Sequence, residues 1–277
     1  MAIFKGNTEI SNLYVGPDEV QEVYRGSDLI WSNSVQRSDA FWSDTVALWT
    51  HEPAGLGVTS WENQVTGTID LTVYQGDNGN TSIADLQDGY WGTRLGKTNQ
   101  SASGQGKNAK GAVLISTGTF PFGTGEFTIE FWTYQYGIIT NPANDVISTL
   151  YDTTGNGSPV APRWSIASTA TEGQAKIATQ LPTSPSTIST GVWQHHAIVR
   201  DSSNLVTYYL DGTAGSNTKT TSASIGGYRS LSLGGLWQSG LRAYSCNALF
   251  RQVRLTKAAR YTGNFTPYQR FYYPGIV

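Results

Sequence analysis

The sequence contains few charged residues and a single cysteine. Asp, Glu, Lys and Arg make up 14% of its 277 residues, whereas about a quarter is usual for soluble domains. The formal net charge is −2, so the chain has no basic field that would hold a phosphate backbone. Because Cys246 is the only cysteine, no intrachain disulfide can form. We therefore expect no nucleic-acid partner, and a fold that is stabilised by packing and not by intrachain disulfides.

Long apolar runs and helical periodicity are absent as well. No run approaches the ~18 apolar residues of a membrane span, and "MAIFKGNTEI" lacks the apolar region of a signal peptide. We expect synthesis in a cytoplasm and no membrane insertion. The best helical candidates, residues 39–49 and 255–263, are short and have no sustained apolar stripe.

Short strand-like segments rich in β-branched and aromatic residues fill the chain instead, separated by Gly, Pro, Asn and Asp clusters. This pattern predicts an all-β antiparallel sandwich or jelly roll. The predicted strands are residues 69–74, 112–115, 127–134, 146–151, 163–167, 175–179, 192–200, 205–210, 230–234 and 248–255.

The first 34 residues form a separate unit in this interpretation. "LYVGPDEV" (13–20) and "VYRGSDLI" (23–30) are near-repeats, each typical of a strand, a glycine-containing turn and a second strand. Such a meander is too short to be stable alone, so it must pack against another structure. The sequence thus predicts a docking module over 1–34, with Tyr14, Tyr24 and Trp31 as docking candidates, and one large domain over 35–277.

The adjacent histidines His195 and His196 stand in "GVWQHHAIVRDSSNLVTYYLDGT" (191–213). This stretch predicts two strands, with "DSSN" and Asp211-Gly212 as turns. Successive side chains of a strand point to opposite faces, so the pair cannot ligate one metal or relay one proton. No carboxylate stands near the pair at ligand spacing. We therefore predict a structural role for both histidines.

Four segments, residues 123–135, 191–213, 231–235 and 254–267, resemble the laminin-G-like, concanavalin A-like domains common in bacteriophage structural proteins. The resemblance covers residues 39–277, and it implies two antiparallel sheets packed face to face as a jelly roll. Residues 1–34 resemble a short β module near the start of many phage tail and fibre proteins. Gln194, and Arg251 with Gln252, depart from the family pattern, which weakens any transfer of a binding site.

Some concanavalin A-like relatives hydrolyse glycans, which raises the question of a carboxylate pair. Glu126 and Glu130 share one face of a predicted strand, but their backbones would be ~13 Å apart, farther than a glycosidase pair requires. Thr128 stands where a glucanase-type strand needs an acidic residue. We expect no catalysis, and a structural role for Glu130.

Many laminin-G-like domains bind calcium at a loop rim, so Ca²⁺ is the one cofactor that the resemblance raises. Asp77, Asn78, Asp152 and Asn156 are the candidate oxygen ligands. The same clusters of Asp, Asn and Gly are also ordinary turn chemistry, which is the preferred interpretation.

The chain has nine tryptophans and fifteen tyrosines. This aromatic content raises the question of carbohydrate binding, because sugar rings stack their C–H faces on aromatic rings. Aromatic residues in or beside predicted loops are the candidate glycan-binding set, although packing or a protein interface is the preferred interpretation for them. That set is Trp61, Tyr90, Trp91, Trp237 and Tyr244, whereas Trp49, Trp132 and Trp193 are predicted to be core residues. The basic residues near the C-terminus, Arg251, Arg254, Lys257, Arg260 and Arg270, are predicted to form a solvated or subunit-facing surface.

Together these features predict a non-enzymatic phage virion protein, a tail-fibre or spike-type adhesin whose lectin-like domain attaches to host-surface glycan. It would assemble in the host cytoplasm, act outside after lysis, contact other virion proteins and form homo-oligomers. The alternatives are a capsid decoration or tail-scaffold protein without glycan binding, and, third, a glycan hydrolase.

Overall fold

The computed structural model describes the backbone of each strand named below. It describes side chains for residues 40–49, 63, 65, 92–95, 122–136, 188–216, 218–222, 224, 231, 233–234 and 246–267. The chain divides into two compact units, one comprising Met1–Trp42 with Phe271–Val277 and the other Ser43–Arg270.

The smaller unit contains three antiparallel hairpins, β1–β2, β3–β4 and β5–β6. Each copy of the near-repeat coincides with one of the last two hairpins, and the Asp of each copy is the first residue of the second strand, Asp18 of β4 and Asp28 of β6. The strands are β1 (Phe4–Lys5), β2 (Thr8–Glu9), β3 (Leu13–Val15), β4 (Asp18–Val20), β5 (Glu22–Arg25) and β6 (Asp28–Ser32).

The larger unit is built from strands, preceded by a 3-10 turn at Trp42–Asp44. The strands are β7 (Thr45–Trp49), β8 (Ser60–Trp61), β9 (Asp70–Tyr74), β10 (Ile83–Gln87), β11 (Tyr90–Gly96), β12 (Val113–Thr117), β13 (Phe127–Gly137), β14 (Asp145–Tyr151), β15 (Trp164–Ser168), β16 (Gly173–Ile177), β17 (Trp193–Arg200), β18 (Leu205–Leu210), β19 (Thr213–Ala214), β20 (Lys219–Thr220), β21 (Ser230–Leu233), β22 (Leu236–Gln238), β23 (Leu241–Ala243) and β24 (Asn247–Thr256).

These strands form two large sheets and one separate hairpin, β22–β23. The nine-stranded sheet has the order β10-β11-β24-β13-β17-β18-β19, with β7 beside β24 and β20 beside β18. The seven-stranded sheet has the order β16-β15-β14-β21-β12-β9-β8. The predicted all-β antiparallel jelly-roll fold is confirmed. Residues 39–49 include the 3-10 turn and β7, and β24 ends within 255–263, so neither segment forms the α-helix considered as a candidate.

The hydrophobic core joins the inner faces of both sheets. Phe127, Ile129 and Phe131 alternate along β13 and belong to one buried cluster with Leu231 and Leu233 of the seven-stranded sheet. The alternation predicted for β13 is therefore confirmed, because one face of a strand carries every second side chain. Removing a buried ring such as that of Phe131 would cost about 3–5 kcal/mol.

A bulge in β24 sets which of its side chains face outward. Gln252 has φ 50°, and the pairing with β13 shifts there, so that Glu130 lies opposite Arg254 while Trp132 lies opposite Arg251. Val253 remains in the core cluster. Arg251 and Arg254 are three positions apart, so in a regular strand they would face opposite sides of the sheet. Because the bulge adds one residue to β24, both lie on the outer face of the nine-stranded sheet.

Candidate functional site

The two histidines lie on opposite faces of β17, as predicted. His196 faces the core, where Nε2 is 2.8 Å from Thr133 Oγ1 and Nδ1 is 2.7 Å from the Tyr208 hydroxyl. Burial, and to a lesser extent His195, lowers the pKa of His196 to about 3. The ring is therefore neutral, with one N–H donor and one acceptor nitrogen to bridge the two hydroxyls. This buried chain is structural.

His195 faces outward and lies beside a carboxylate that is distant in sequence. Its Nε2 is 3.3 Å from Glu130 Oε2. The two residues meet because β13 pairs with β17 and Trp132 lies opposite His195. Glu130 is two positions before Trp132, so its side chain is on the same face. The sequence places Glu130 65 positions away, so a search along the strand itself could not find this contact.

Glu130 is completely buried on this outer face and has several partners. Arg260 Nη1 donates to Oε1, and the Tyr261 hydroxyl donates to Oε2 at 2.6 Å. Burial raises the pKa of Glu130, but the Arg260 guanidinium and His195 outweigh it and lower the pKa to about 2. A general acid must hold its proton near the working pH. Glu130 instead stays ionised as one half of a buried ion pair.

Residues 257–267, here called the cover segment, lie over this part of the outer face. The Arg260 backbone N–H donates to Thr128 Oγ1 at 3.0 Å, and that of Phe265 donates to the Gly212 carbonyl at 2.9 Å. Tyr261 and Phe265 stack with ring centroids 3.5 Å apart. Both pack against the buried cluster of Ala197, Val199 and Tyr209. The covered part of the outer face is thus a small second core.

Three arginine side chains near the C-terminus are buried, and are not part of the solvated or subunit-facing surface that the sequence predicts. Arg251 and Arg254 are 3% and 1% exposed, and the Arg260 side chain is 7% exposed. Arg254 donates to Thr45 Oγ1, and Arg260 pairs with Glu130. The prediction was wrong because the β24 bulge and the cover segment turn these side chains toward partners distant in sequence. Lys257 is exposed, whereas Arg270 lies outside the described residues.

The opposite end of the same face carries half-buried aromatic rings. Tyr134 and Tyr136 of β13 and Trp193 of β17, here called the aromatic row, are all partly exposed. Tyr134 lies directly opposite Trp193, with ring centroids 5.7 Å apart in an edge-to-face arrangement, and 5.4 Å from the Tyr136 ring. Beside the row, Val192 is 46% exposed. Rings held in this way form a rigid apolar surface that reaches solvent.

Trp193 extends across the sheet because a glycine leaves room for it. A Cβ on Gly92 of β11 would lie 2.9 Å from Trp193 Cη2 and 3.0 Å from Leu249 Cβ. The Arg251 guanidinium lies 4.6 Å from the Trp193 ring centroid and 5.1 Å from that of Trp132. Cation–π contacts at these distances hold the indole in place.

Four of the five predicted glycan-binding residues lie on strands, three of them at a strand end. Trp61 ends β8, Tyr90 and Trp91 begin β11, and Trp237 is the centre of β22. Aromatic residues suit a pleated sheet even where glycines stand close by. Glycan binding by these residues stays a prediction, and Tyr244 lies outside the described residues.

The predicted metal and docking residues are not tested by the structure. Asp77, Asn78, Asp152 and Asn156 lie outside the described residues, so calcium binding stays a prediction. Within the described part, no group of three or more His, Cys, Asp or Glu side chains could hold a metal ion. Docking also stays a prediction for Tyr14, Tyr24 and Trp31, which lie on β3, β5 and β6.

Sequence reasoning missed the aromatic row. Trp193 was predicted to be a core residue, but it is half-buried on the outer face, whereas Trp49 and Trp132 are buried as predicted. A signal was available in the alternation, which puts Tyr134 and Tyr136 on the face opposite Phe131. Among the described residues, no helix is long and apolar enough to cross a bilayer.

Residues 106–262 match a laminin-G family described as the concanavalin A-like lectin/glucanases superfamily. The match covers more than half of the chain. The chain belongs to this superfamily. The matched region of the superfamily domain contains the whole aromatic row and most of the cover segment, whereas Gly92 precedes it.

Solved structures share the fold at low sequence identity. Trypanosoma rangeli sialidase matches with a TM-score of 0.53 at 12% identity, over 78% of this chain and 31% of that chain. The binding domain of botulinum neurotoxin DC in complex with SialylT matches with a TM-score of 0.50 at 13% identity, over 78% and 48%. Domain 4 of the arabinanase AbnA from Geobacillus stearothermophilus, in complex with arabinotriose, has a TM-score of 0.48 at 15% identity, over 78% and 93%.

The chain spans only part of the first structures that it matches, 49% of one and 31% of the next. No curated protein matches the sequence. The two matches with TM-scores of 0.53 and 0.50 show the fold alone.

Proposed function

We propose that this chain is a non-enzymatic bacteriophage adhesin whose superfamily domain binds host-surface glycan through the aromatic row. The observation that carries the proposal is the set of half-buried rings of Tyr134, Tyr136 and Trp193 on a rigid sheet. Aromatic side chains offer a large apolar area together with a polar group. Sugar rings present C–H faces to such rings and hydroxyls to the tyrosine O–H groups.

The rings of the row are held in place before any ligand binds. Trp193 contacts Tyr134 edge to face, and the Arg251 guanidinium lies against its indole. A preorganised surface loses less conformational entropy on binding. Single sugar contacts are weak, and several copies of the domain on one particle would raise the apparent affinity through effective concentration. Homo-oligomerisation and display on a tail fibre or spike belong to this proposal for that reason.

The virion assignment is supported by the N-terminal unit. The near-repeat of residues 13–30 resembles the short β module of phage tail and fibre proteins, and it coincides with the hairpins β3–β4 and β5–β6. A hairpin of this size needs a larger structure to pack against. A particle made of other virion proteins would provide one.

The absence of catalysis is part of the same proposal. It is supported by Glu130, the carboxylate of the family-like strand, whose oxygens are taken up by Arg260 and Tyr261. The cover segment also separates this carboxylate from solvent, since Glu130 is 0% exposed. A glycosidase needs its acid in reach of the scissile bond.

A glycan array tests the binding function. We expect the intact chain to bind a subset of glycans and Trp193→Ala to weaken that binding by about tenfold or more when both are measured well below their thermal midpoints. Trp61→Ala and Trp237→Ala test the glycan-binding residues that the sequence predicts. If these two changes abolish binding and Trp193→Ala does not, the site lies elsewhere on the domain. Silence of the intact chain across a broad array would favour the decoration or scaffold role.

The position on the particle is tested separately. Electron microscopy of intact particles with a labelled antibody against residues 35–277 should mark the tail or its fibres. Label over the capsid would contradict the adhesin and favour a decoration protein. Label on neither would contradict the virion assignment.

A further inference from the structure

Resting on the glycan-binding function proposed above, we propose that the glycan carries a carboxylate, which Arg94 binds at one end of the aromatic row. Arg94 lies in β11, directly opposite Leu249 of β24. Leu249 is opposite Tyr134, which is opposite Trp193. These four residues therefore form one line across four neighbouring strands.

The Arg94 guanidinium is held in a fixed orientation. Its Cζ lies 4.1 Å from the centroid of the Tyr136 ring, and its Nε donates to Asn247 Oδ1 at 3.2 Å. The side chain is half-buried. The stacked ring and the amide together fix the plane of the guanidinium, while its terminal Nη1 and Nη2 groups make no hydrogen bond to a described residue. A guanidinium in this state presents two donors to a planar acceptor with two oxygens, which is the geometry of a carboxylate.

Three other arginines have partners that lie deeper in the protein. Arg200 donates to the carbonyls of Gly123 and Gly125, Arg254 to Thr45 and Arg260 to Glu130. Arg94 is half-buried at the edge of the aromatic row, and its polar partner among the described residues is the neutral Asn247 amide. An anionic ligand group would therefore complement its charge.

The rings and the guanidinium lie within reach of one ligand. The Arg94 guanidinium stacks on Tyr136, whose ring centroid lies 5.4 Å from that of Tyr134. Trp193 extends as far as β11, since a Cβ on Gly92 would lie 2.9 Å from its Cη2. A ligand that stacks on Trp193 or Tyr134 and reaches Arg94 with its carboxylate is consequently an acidic saccharide, in which the acid belongs either to a uronic acid or to a sialic acid.

Paired acidic and neutral glycans test the inference. The probes are an oligogalacturonate with its methyl ester, and 3′-sialyllactose with lactose, titrated into the intact chain by calorimetry. At least one acid should bind about tenfold more tightly than its neutral counterpart, as expected for one charge-assisted pair. The probe pair that shows this difference identifies the acid as a uronic acid or as a sialic acid.

Variants of Arg94 assign the effect to this residue. Arg94→Gln should remove the acid-to-neutral difference, whereas Arg94→Lys should keep part of that difference because Lys retains the charge without the planar fork. Lys257→Gln, which removes an exposed charge of the cover segment, is the matched control and should change neither affinity.

Three outcomes would overturn the inference. Equal binding of acid and neutral members, with Trp193→Ala still weakening both, would refute the carboxylate and leave the glycan function intact. If dextran sulfate also binds, and if Arg94→Gln weakens its binding as much as that of the acidic glycans, the site binds anions in general and is not specific for a carboxylate. Failure of the intact chain to bind any glycan on the array or any of these probes would overturn the inference together with the proposed function.

Discussion

The two ends of one sheet face use similar residues in different ways. At the covered end, Arg260 and Tyr261 enclose Glu130, and the carboxylate has no solvent exposure. At the open end, Arg94 stacks on Tyr136, and Trp193 lies half-buried beside Tyr134. Both ends combine arginines with aromatic rings. The difference between them is the cover segment, which crosses the first and not the second.

This comparison shows how a third layer of chain changes the role of a charged group. An arginine that is buried must have a partner within the protein, because an isolated buried charge is very costly. An arginine at the edge of an open ring surface can remain hydrated until a ligand displaces the water. Substitutions at the covered end should therefore lower the free energy of unfolding, and substitutions at the open end should weaken ligand binding.

Loss of Arg260 should give the largest effect on the covered end. Arg260→Ala leaves the Glu130 carboxylate buried without its closest cation, and breaking a buried pair from one side costs about 3–5 kcal/mol. Urea denaturation followed by tryptophan fluorescence measures the free energy of unfolding. Glu130→Gln in the same background should recover much of the loss, because it removes the uncompensated charge. Lys257→Ala is the control, and a loss below ~1 kcal/mol in Arg260→Ala would contradict the ion-pair account.

Substitution of Gly212 should loosen the cover segment by a smaller amount. Gly212 has φ 75°, and an added Cβ would lie within 1.8 Å of the Phe265 carbonyl oxygen. Gly212→Ala should cost about 2–3 kcal/mol, from backbone strain and from displacement of the segment. Limited proteolysis should then cut within residues 257–267. Gly263→Ala is the matched control, since its Cβ would meet nothing within 4 Å; an equal effect of both changes would argue against close contact at Gly212.

The covered end also shows what the sequence can predict. The strand Leu205–Leu210 and the Asp211-Gly212 turn follow from local signals, since β18 has these bounds and both turn residues have positive φ. Alternation along β13 correctly separates Phe131 from Glu130. Local chemistry dominates in these elements, so a single stretch of sequence is enough.

Contacts between distant segments could not be predicted in this way. The approach of His195 to Glu130 depends on the register of β13 with β17. Burial of Arg254 depends on a one-residue bulge at Gln252. The aromatic row depends on where the cover segment ends, because the same alternating pattern would be core if that segment crossed it. The sequence shows which residues share a face, but it does not show whether another segment covers them.

The smallest effect on stability is expected at the open end. Gly92→Ala places a Cβ 2.9 Å from Trp193 Cη2 and 3.1 Å from the Phe250 carbonyl oxygen. Because a ring at the end of a side chain moves more easily than backbone, Trp193 should shift away from Arg251, at a cost of about 1 kcal/mol. Glycan affinity should fall several-fold even though Gly92 itself offers no side chain to a ligand. Tryptophan fluorescence and array binding report the two effects, and unchanged affinity despite a displaced indole would show that the ligand does not depend on the position of this ring.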